Sequence, residues 1–327
     1  MRRLLLTAAA TTAAALTLAA CGTTEPAADK SEKKASEAIT LKDGKGNEVK
    51  LDGPATKVVA TEWNVVESLL SLGVEPVGVA DVKGYKTWDT SVPLKGNPKD
   101  IGTRGEPSMD TVASLAPDLI VATTDLAPAA VKQLREVAPV LEVQSADGAG
   151  QIDRMLGNVD LIAQATGTTD KAKEIREGFE AKVAEGKKAL TDAKMAGKEI
   201  AFADGYVASN QVSIRPYTAT SLIGEVNEAI GLKNAWKVKG DEAYGLGATD
   251  VEGLTALPED VQFAYIGNDE DPNATPFTGA LAKNSVWTSL PFVKAGDVHR
   301  LEDGIWMFGG PGSMEAYIDA VVGALTK

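Results

Sequence analysis

The sequence predicts an α/β protein: two Rossmann-like lobes on mostly parallel sheets, joined by one long helix. Three observations carry that reading. Short apolar runs bounded by turn residues, such as "KVVAT" (57–61), "PVGVA" (76–80) and "DLIVAT" (118–123), suit parallel strands buried on both faces. Helical runs alternate with them, and the alternation recurs in the second half of the chain. Between the two sets, "TDKAKEIREGFEAKVAEGKKALTDA" (169–193) spaces Ala172, Ile175, Phe179, Val183, Gly186 and Leu190 as one continuous helical stripe. At 1.5 Å per residue that helix extends about 37 Å, enough to bridge two lobes.

The elements follow in chain order. Arg2 and Arg3 precede an uncharged stretch, Leu4 to Ala20, that ends in "LAAC". This predicts a secretory signal over 1–20, short for a membrane span. "LAAC" resembles the cleavage site of bacterial lipoproteins, which would make Cys21 the first mature residue and its lipid carrier; the alternative is an ordinary signal peptide cut nearby. Residues 21–38 are small, polar and charged without apolar period, and read as a flexible tether. The first lobe is expected over 39–168, the interlobe helix over 169–193 and the second lobe over 194–327.

Within the first lobe, "WNVVESLLSLG" sets apolar residues at Trp63, Val66, Leu69 and Leu70 and closes on Gly73, a C-terminal cap. "GTRGEPSMDTVASLAPDLIVAT" (102–123) then places Arg104 in a Gly- and Pro-rich loop and Asp110 in the first turn of the next helix. In the second lobe "EIAFADG" (199–205), "QVSIR" (211–215) and "VQFAYIG" (261–267) read as strands, and "SLIGEVNEAIGL" as a helix ending at Gly231. A weak internal echo aligns "MDTVASLAPDLI" (109–120) with "VEGLTALPEDVQ" (251–262), pairing Asp110 with Glu252. "TDVE" (249–252) reads as a capping box.

Composition narrows the function. The net charge of −13 becomes −15 once Arg2 and Arg3 leave with a signal, so nucleic acid is a poor partner. A single cysteine allows no internal disulfide, and a single histidine removes most zinc sites and His-based nucleophile triads. His299, in "GDVHRLED", is expected at the surface at a strand end. G-x-S-x-G and H-E-x-x-H are both missing. A surface-anchored hydrolase working through paired carboxylates stays open.

In order and spacing, "VVATEWNVVESLLSLGVEPVGVAD", "GTRGEPSMDTVASLAPDLIV", "SIRPYTATSLIGEVNEAIGLKNAW", "GLTALPEDVQFAYI" and "WTSLPFVKAGDVHRLEDGIWMFGGPGS" resemble the iron–siderophore substrate-binding lipoproteins of bacterial ABC importers. The resemblance covers nearly the whole chain after the tether. It implies a shallow ligand cleft between the lobes, lined by Trp63, Arg104, Arg215, Tyr217 and Trp306. Tyr85 and Trp88 are further candidates at the rim, with Lys83, Lys86 and Met307 behind them. It implies no enzyme activity, no resident cofactor and no metal ligands, because the iron arrives already coordinated by the siderophore.

The residue types suit that task. Arginine offers a planar, permanently charged fork of N–H donors to chelating oxygens, and tryptophan a flat apolar face. Each has a plainer alternative: Trp63 as a core aromatic, Arg104 paired with Glu106 or Asp110, Arg215 solvated, Tyr217 and Trp306 half-buried. The resemblance also assigns Asp110 and Glu252 to docking on the importer permease. The family favours glutamate at the first position, so Asp110 is a departure and Glu106 an alternative. Both acids equally suit a first helical turn, where the helix dipole favours negative charge. Partners are therefore a ferric siderophore, of hydroxamate type by the balance of arginines and tryptophans, the permease, and the membrane through Cys21. A monomer is expected. A corrinoid or haem receptor of the same fold is the alternative.

Overall fold

The computed structural model describes residues 37–209 and 211–327. The signal (1–20), Cys21 and all but the last two residues of the tether (21–38) lie outside the described residues.

The first lobe opens with an antiparallel hairpin, β1 (Ile39–Lys42) and β2 (Glu48–Leu51). There follow β3 (Val58–Ala60), α1 (Trp63–Ser71), β4 (Gly78–Val79), α2 (Val82–Trp88), β5 (Lys99–Asp100), α3 (Met109–Ser114), β6 (Leu119–Thr123), α4 (Pro128–Arg135) and β7 (Val140–Val143). The last five strands form one parallel sheet in the order β5-β4-β3-β6-β7. β3 and β6 are buried along their whole length, as continuous apolar runs with helices on both faces should be. The strand order turns back between β3 and β6. Their C-terminal ends therefore splay the next loops apart and leave a crevice, the usual ligand position in open α/β sheets.

Two helices then run back to back, α5 (Gln151–Thr166) and α6 (Thr169–Asp192), separated by Gly167 at φ +72°. The stripe read from the sequence is the buried face of α6. Ala172 and Ile175 join the core of the first lobe, while Phe179, Val183 and Leu190 join that of the second. One helix is thus shared by two hydrophobic cores.

The second lobe contains β8 (Glu199–Ala208), β9 (Gln211–Pro216), α7 (Leu222–Ala229), β10 (Lys233–Asn234), β11 (Gln262–Tyr265), α8 (Ser285–Ser289), α9 (Pro291–Ala295), β12 (Val298–Arg300) and α10 (Pro311–Leu325). Its sheet runs β10-β8-β11-β12 in parallel, with β9 antiparallel to the far end of β8. α10 packs along α6. Gly186 permits the approach: a Cβ there would sit 2.7 Å from Ile318 Cγ2.

Two expectations are corrected. Residues 252–256 form a 3₁₀ turn entered through Val251, and Asp250 Oδ1 accepts from Gly253 N at 3.0 Å. Thr249 and Glu252 form no reciprocal box, because Gly253 and Pro258 leave room for little more than one turn. His299 is half-buried in β12, more covered than expected, and its ring Nε2 shares a 2.8 Å hydrogen bond with Gln262 Oε1. Burial pushes its pKa below the usual histidine value.

Candidate functional site

Chain geometry at the β3 terminus sets the first wall. Glu62 follows the strand and caps α1, accepting from Trp63 N at 2.8 Å. The same oxygen accepts from Arg104 Nη1 at 2.8 Å. Trp63 points inward; it is 3% exposed and donates its indole N–H to Ala80 O at 3.2 Å. Arg104 lies over that ring, its guanidinium carbon 4.0 Å from the centroid, and 5.3 Å from the ring of Trp306. The two indoles meet edge-on at 4.8 Å. The loop carrying Arg104 is closed by Ser108 N donating to Ile101 O at 2.6 Å. Gly102 takes φ +100° to allow the turn.

The second wall comes from the β8–β9 hairpin. Register places Asp204 opposite Arg215. Arg215 Nε donates to Asp204 Oδ1 at 2.9 Å, and its Nη2 bonds Asp204 Oδ2 and, at 3.3 Å, Tyr217 Oη. Tyr217 donates back to Asp204 Oδ2 at 3.2 Å. Burial, with the charge of Asp204 beside it, holds the Tyr217 phenol well above its ordinary pKa, so it stays a donor. Phe308 continues the wall, 5.9 Å from the Tyr217 ring and 5.2 Å from Trp306.

The loop bearing Trp306 and Phe308 is pinned from the other lobe. Glu67 on α1 is fully buried, yet accepts from Gly310 N, Ser313 N and Ser313 Oγ, each at 2.8 Å, at the start of α10. Asp89 lies beside it, with Oδ2 lacking a partner among the described residues. Burial and the charge of Glu67 push the Asp89 carboxyl up to about 10. A second tie crosses the mouth: Tyr244 Oη donates to Asp125 Oδ2 at 2.7 Å.

Between these walls lies a cavity of about 670 Å³. Arg104, Arg215, Tyr217, Trp306 and Met307 line it. Trp63 does not; it backs Arg104 from beneath. Tyr85 is fully buried, its hydroxyl donating to Val92 O at 2.6 Å, and Trp88 packs on the first-lobe core. Neither lines the cavity, nor do Lys83 and Lys86. Asp110 and Glu252 are exposed, one on each lobe, in the first turns of α3 and of the 252–256 turn. Arg104 pairs with Glu62, not with Glu106 or Asp110.

Sequence reasoning missed Glu62, Asp125, Asp204, Tyr244 and Phe308. Glu62 and Asp204 had a usable signal, since each stands at the C-terminal end of an apolar run. Tyr244 sits in a long irregular stretch with no period to place it. The wall as a whole is rings and paired hydrogen-bonding groups. Among the described residues no cluster of three or more His, Cys, Asp or Glu is placed to hold a metal ion. No described helix is long and apolar enough to cross a membrane.

Comparison with known proteins agrees with the geometry. Residues 58–303 match the family model described as periplasmic binding protein. The Fe(3+)-citrate-binding protein YfmC of Bacillus subtilis is 28% identical over 282 residues, covering 85% of this chain and 82% of its own. The iron(3+)-hydroxamate-binding protein FhuD of Escherichia coli is 26% identical over 256 residues, covering 77% and 81%. Among solved structures, the Fe3+–Desferal-bound siderophore-binding protein FhuD of Vibrio cholerae superposes with a TM-score of 0.73 at 24% identity, over 83% of this chain and 98% of its own. A shared α/β architecture, a cavity at the strand termini and a family match over most of its length lead to one conclusion: this chain belongs to the periplasmic binding protein family.

Proposed function

We propose that this protein is a receptor, not an enzyme, that holds a ferric siderophore of hydroxamate type in the interlobe cavity and delivers it to an ABC importer permease. The observation that carries the reading is the convergence of Arg104 and Arg215, from opposite lobes, on one cavity floored by aromatic rings. A siderophore completes the coordination of its iron, so the wall needs donors for the chelating oxygens and flat surface for the organic frame. Tryptophan and tyrosine rings supply the surface, and guanidinium N–H groups supply the donors. The names of the relatives, which include binders of iron citrate and iron hydroxamate, support a chelated ferric cargo, and the second of them the hydroxamate type.

Export across the membrane and a lipid on Cys21 complete the proposal, with residues 21–38 as the tether. Asp110 and Glu252, exposed on separate lobes, are the permease-docking pair. The protein works as a monomer.

Quenching of tryptophan fluorescence by a neutral ferric tris-hydroxamate tests the binding claim directly, because Trp63 and Trp306 adjoin the site. Saturable quenching is expected. Saturation by cobalamin or haemin in its place would transfer the site to a tetrapyrrole. The double variant Asp110→Ala/Glu252→Ala should bind as wild type but fail in cellular uptake. Normal uptake would remove those acids as the dock.

A further inference from the structure

The cavity wall contains its own countercharge. Two guanidiniums, Arg104 and Arg215, line the cavity with three carboxylates, Glu62, Asp81 and Asp125, and among the described residues no lysine lines it. A fourth acid, Asp204, forks onto Arg215. Each arginine is therefore already paired: Arg104 with Glu62, and Arg215 with Asp204. Counted over these groups the wall is net negative, inside a chain of net charge −13.

We infer that Glu62 and Asp204 determine specificity, setting the cavity's charge so that it admits neutral or cationic ferric complexes and rejects polyanionic ones. This rests on the receptor reading above and deepens it. The arginines alone would draw any anion. With their carboxylates in place, a ligand oxygen meets an N–H donor without meeting uncompensated positive charge. Ferric iron with three hydroxamates is neutral, and a pendant ammonium makes the complex cationic. Ferric iron with three catecholates carries three negative charges and meets a net repulsive wall. Specificity of this kind is a difference of affinities built partly from repulsion. Low-dielectric walls focus the field of these charges in the cleft, so the repulsion reaches an approaching ligand.

The test is a titration of the full chain with three ferric complexes: a neutral tris-hydroxamate, a tris-hydroxamate bearing a free ammonium, and a tris-catecholate. The two hydroxamates should bind at least about a hundredfold more tightly than the trianion, roughly 2.7 kcal/mol by the affinity scale. Rising salt should strengthen what trianion binding there is, since it screens repulsion. Glu62→Gln should raise the trianion-to-neutral affinity ratio about tenfold. Asp204→Asn should do the same from the other wall, so a misfolded Glu62 variant does not end the test. Tight tris-catecholate binding by wild type, or a ratio unmoved in both variants, overturns the inference while leaving the receptor intact. Failure of all three complexes to bind would overturn the inference and the receptor reading together.

Discussion

The two cavity arginines have opposite settings. Arg104 of the first lobe lies flat on Trp63, held from the side by one hydrogen bond to Glu62. Arg215 of the second lobe is gripped by its edge, forked on Asp204 and touching the hydroxyl of Tyr217. Stacking orients a guanidinium without consuming its N–H groups; forking consumes them. Nearness to a cavity does not make two identical side chains equivalent. Arg104 is arranged to donate to a guest, and Arg215 is arranged to hold the hairpin.

The sharpest way to break that distinction is Arg104→Ala. Ferric tris-hydroxamate affinity should fall about a hundredfold, the scale of losing charge-assisted hydrogen bonds in a desolvated site. The melting temperature should change little, since the loop is closed by its own backbone. Equal affinity in a fluorescence titration would strike Arg104 from the site. Arg215→Ala should cost less affinity, about tenfold, and more stability, because Asp204 is left half-covered beside Tyr217 without its partner. If calorimetry and titration showed the reverse ranking, the contrast between the two arginines would be lost.

Smaller changes sharpen the picture. Tyr244→Phe deletes the 2.7 Å bond to Asp125 that ties the lobes across the cavity mouth. A single hydrogen bond is worth about 1 kcal/mol net, so ligand release measured by stopped flow should quicken by only a few-fold. Asp89→Asn lies behind the Trp306 loop and should leave ligand affinity nearly untouched, showing itself only in stability against pH. The Asp89 carboxyl rises on folding from 3.8 to about 10. A carboxyl raised in this way binds its proton more tightly in the folded state. It favours folding fully below its unfolded pKa, and that contribution drains away as pH climbs toward 10. Wild type should therefore lose stability between pH 5 and pH 9, and the asparagine variant, which mimics the protonated form, should lose less. Parallel melting curves for the two proteins across that range would contradict a proton held by the buried Glu67–Asp89 pair.

The architecture was readable because it rests on period. The spacing from Ala172 to Leu190 describes α6, and the apolar runs at 58–60 and 119–123 describe the two central strands of the first sheet. Short elements lacking such runs, including the β1–β2 hairpin and the two-residue strands β5 and β10, carry too few residues to show a pattern. At the cavity, Arg104 in its glycine- and proline-rich loop stood out, as did Arg215 at a strand end, Tyr217 and Trp306. Their carboxylate partners did not, because pairing is decided by cross-strand register and by loops brought together from 42 residues apart, as with Arg104 and Glu62. Trp63 shows the converse: its place after a strand was legible, but whether the ring faced the cavity or the core depended on one rotamer.

The helix that belongs to both cores has a mechanical corollary. With Ala172 buried at one end, Leu190 at the other and α10 pressed against Gly186 near the second, bending would tear two interiors at once. Cargo capture in such a body draws on local side-chain exchange, with little hinge swing to report it. On the receptor reading, whatever distinguishes a laden molecule from an empty one is felt at the rim of the hollow, by touching the cargo itself, and X-ray scattering profiles of the two states should nearly coincide.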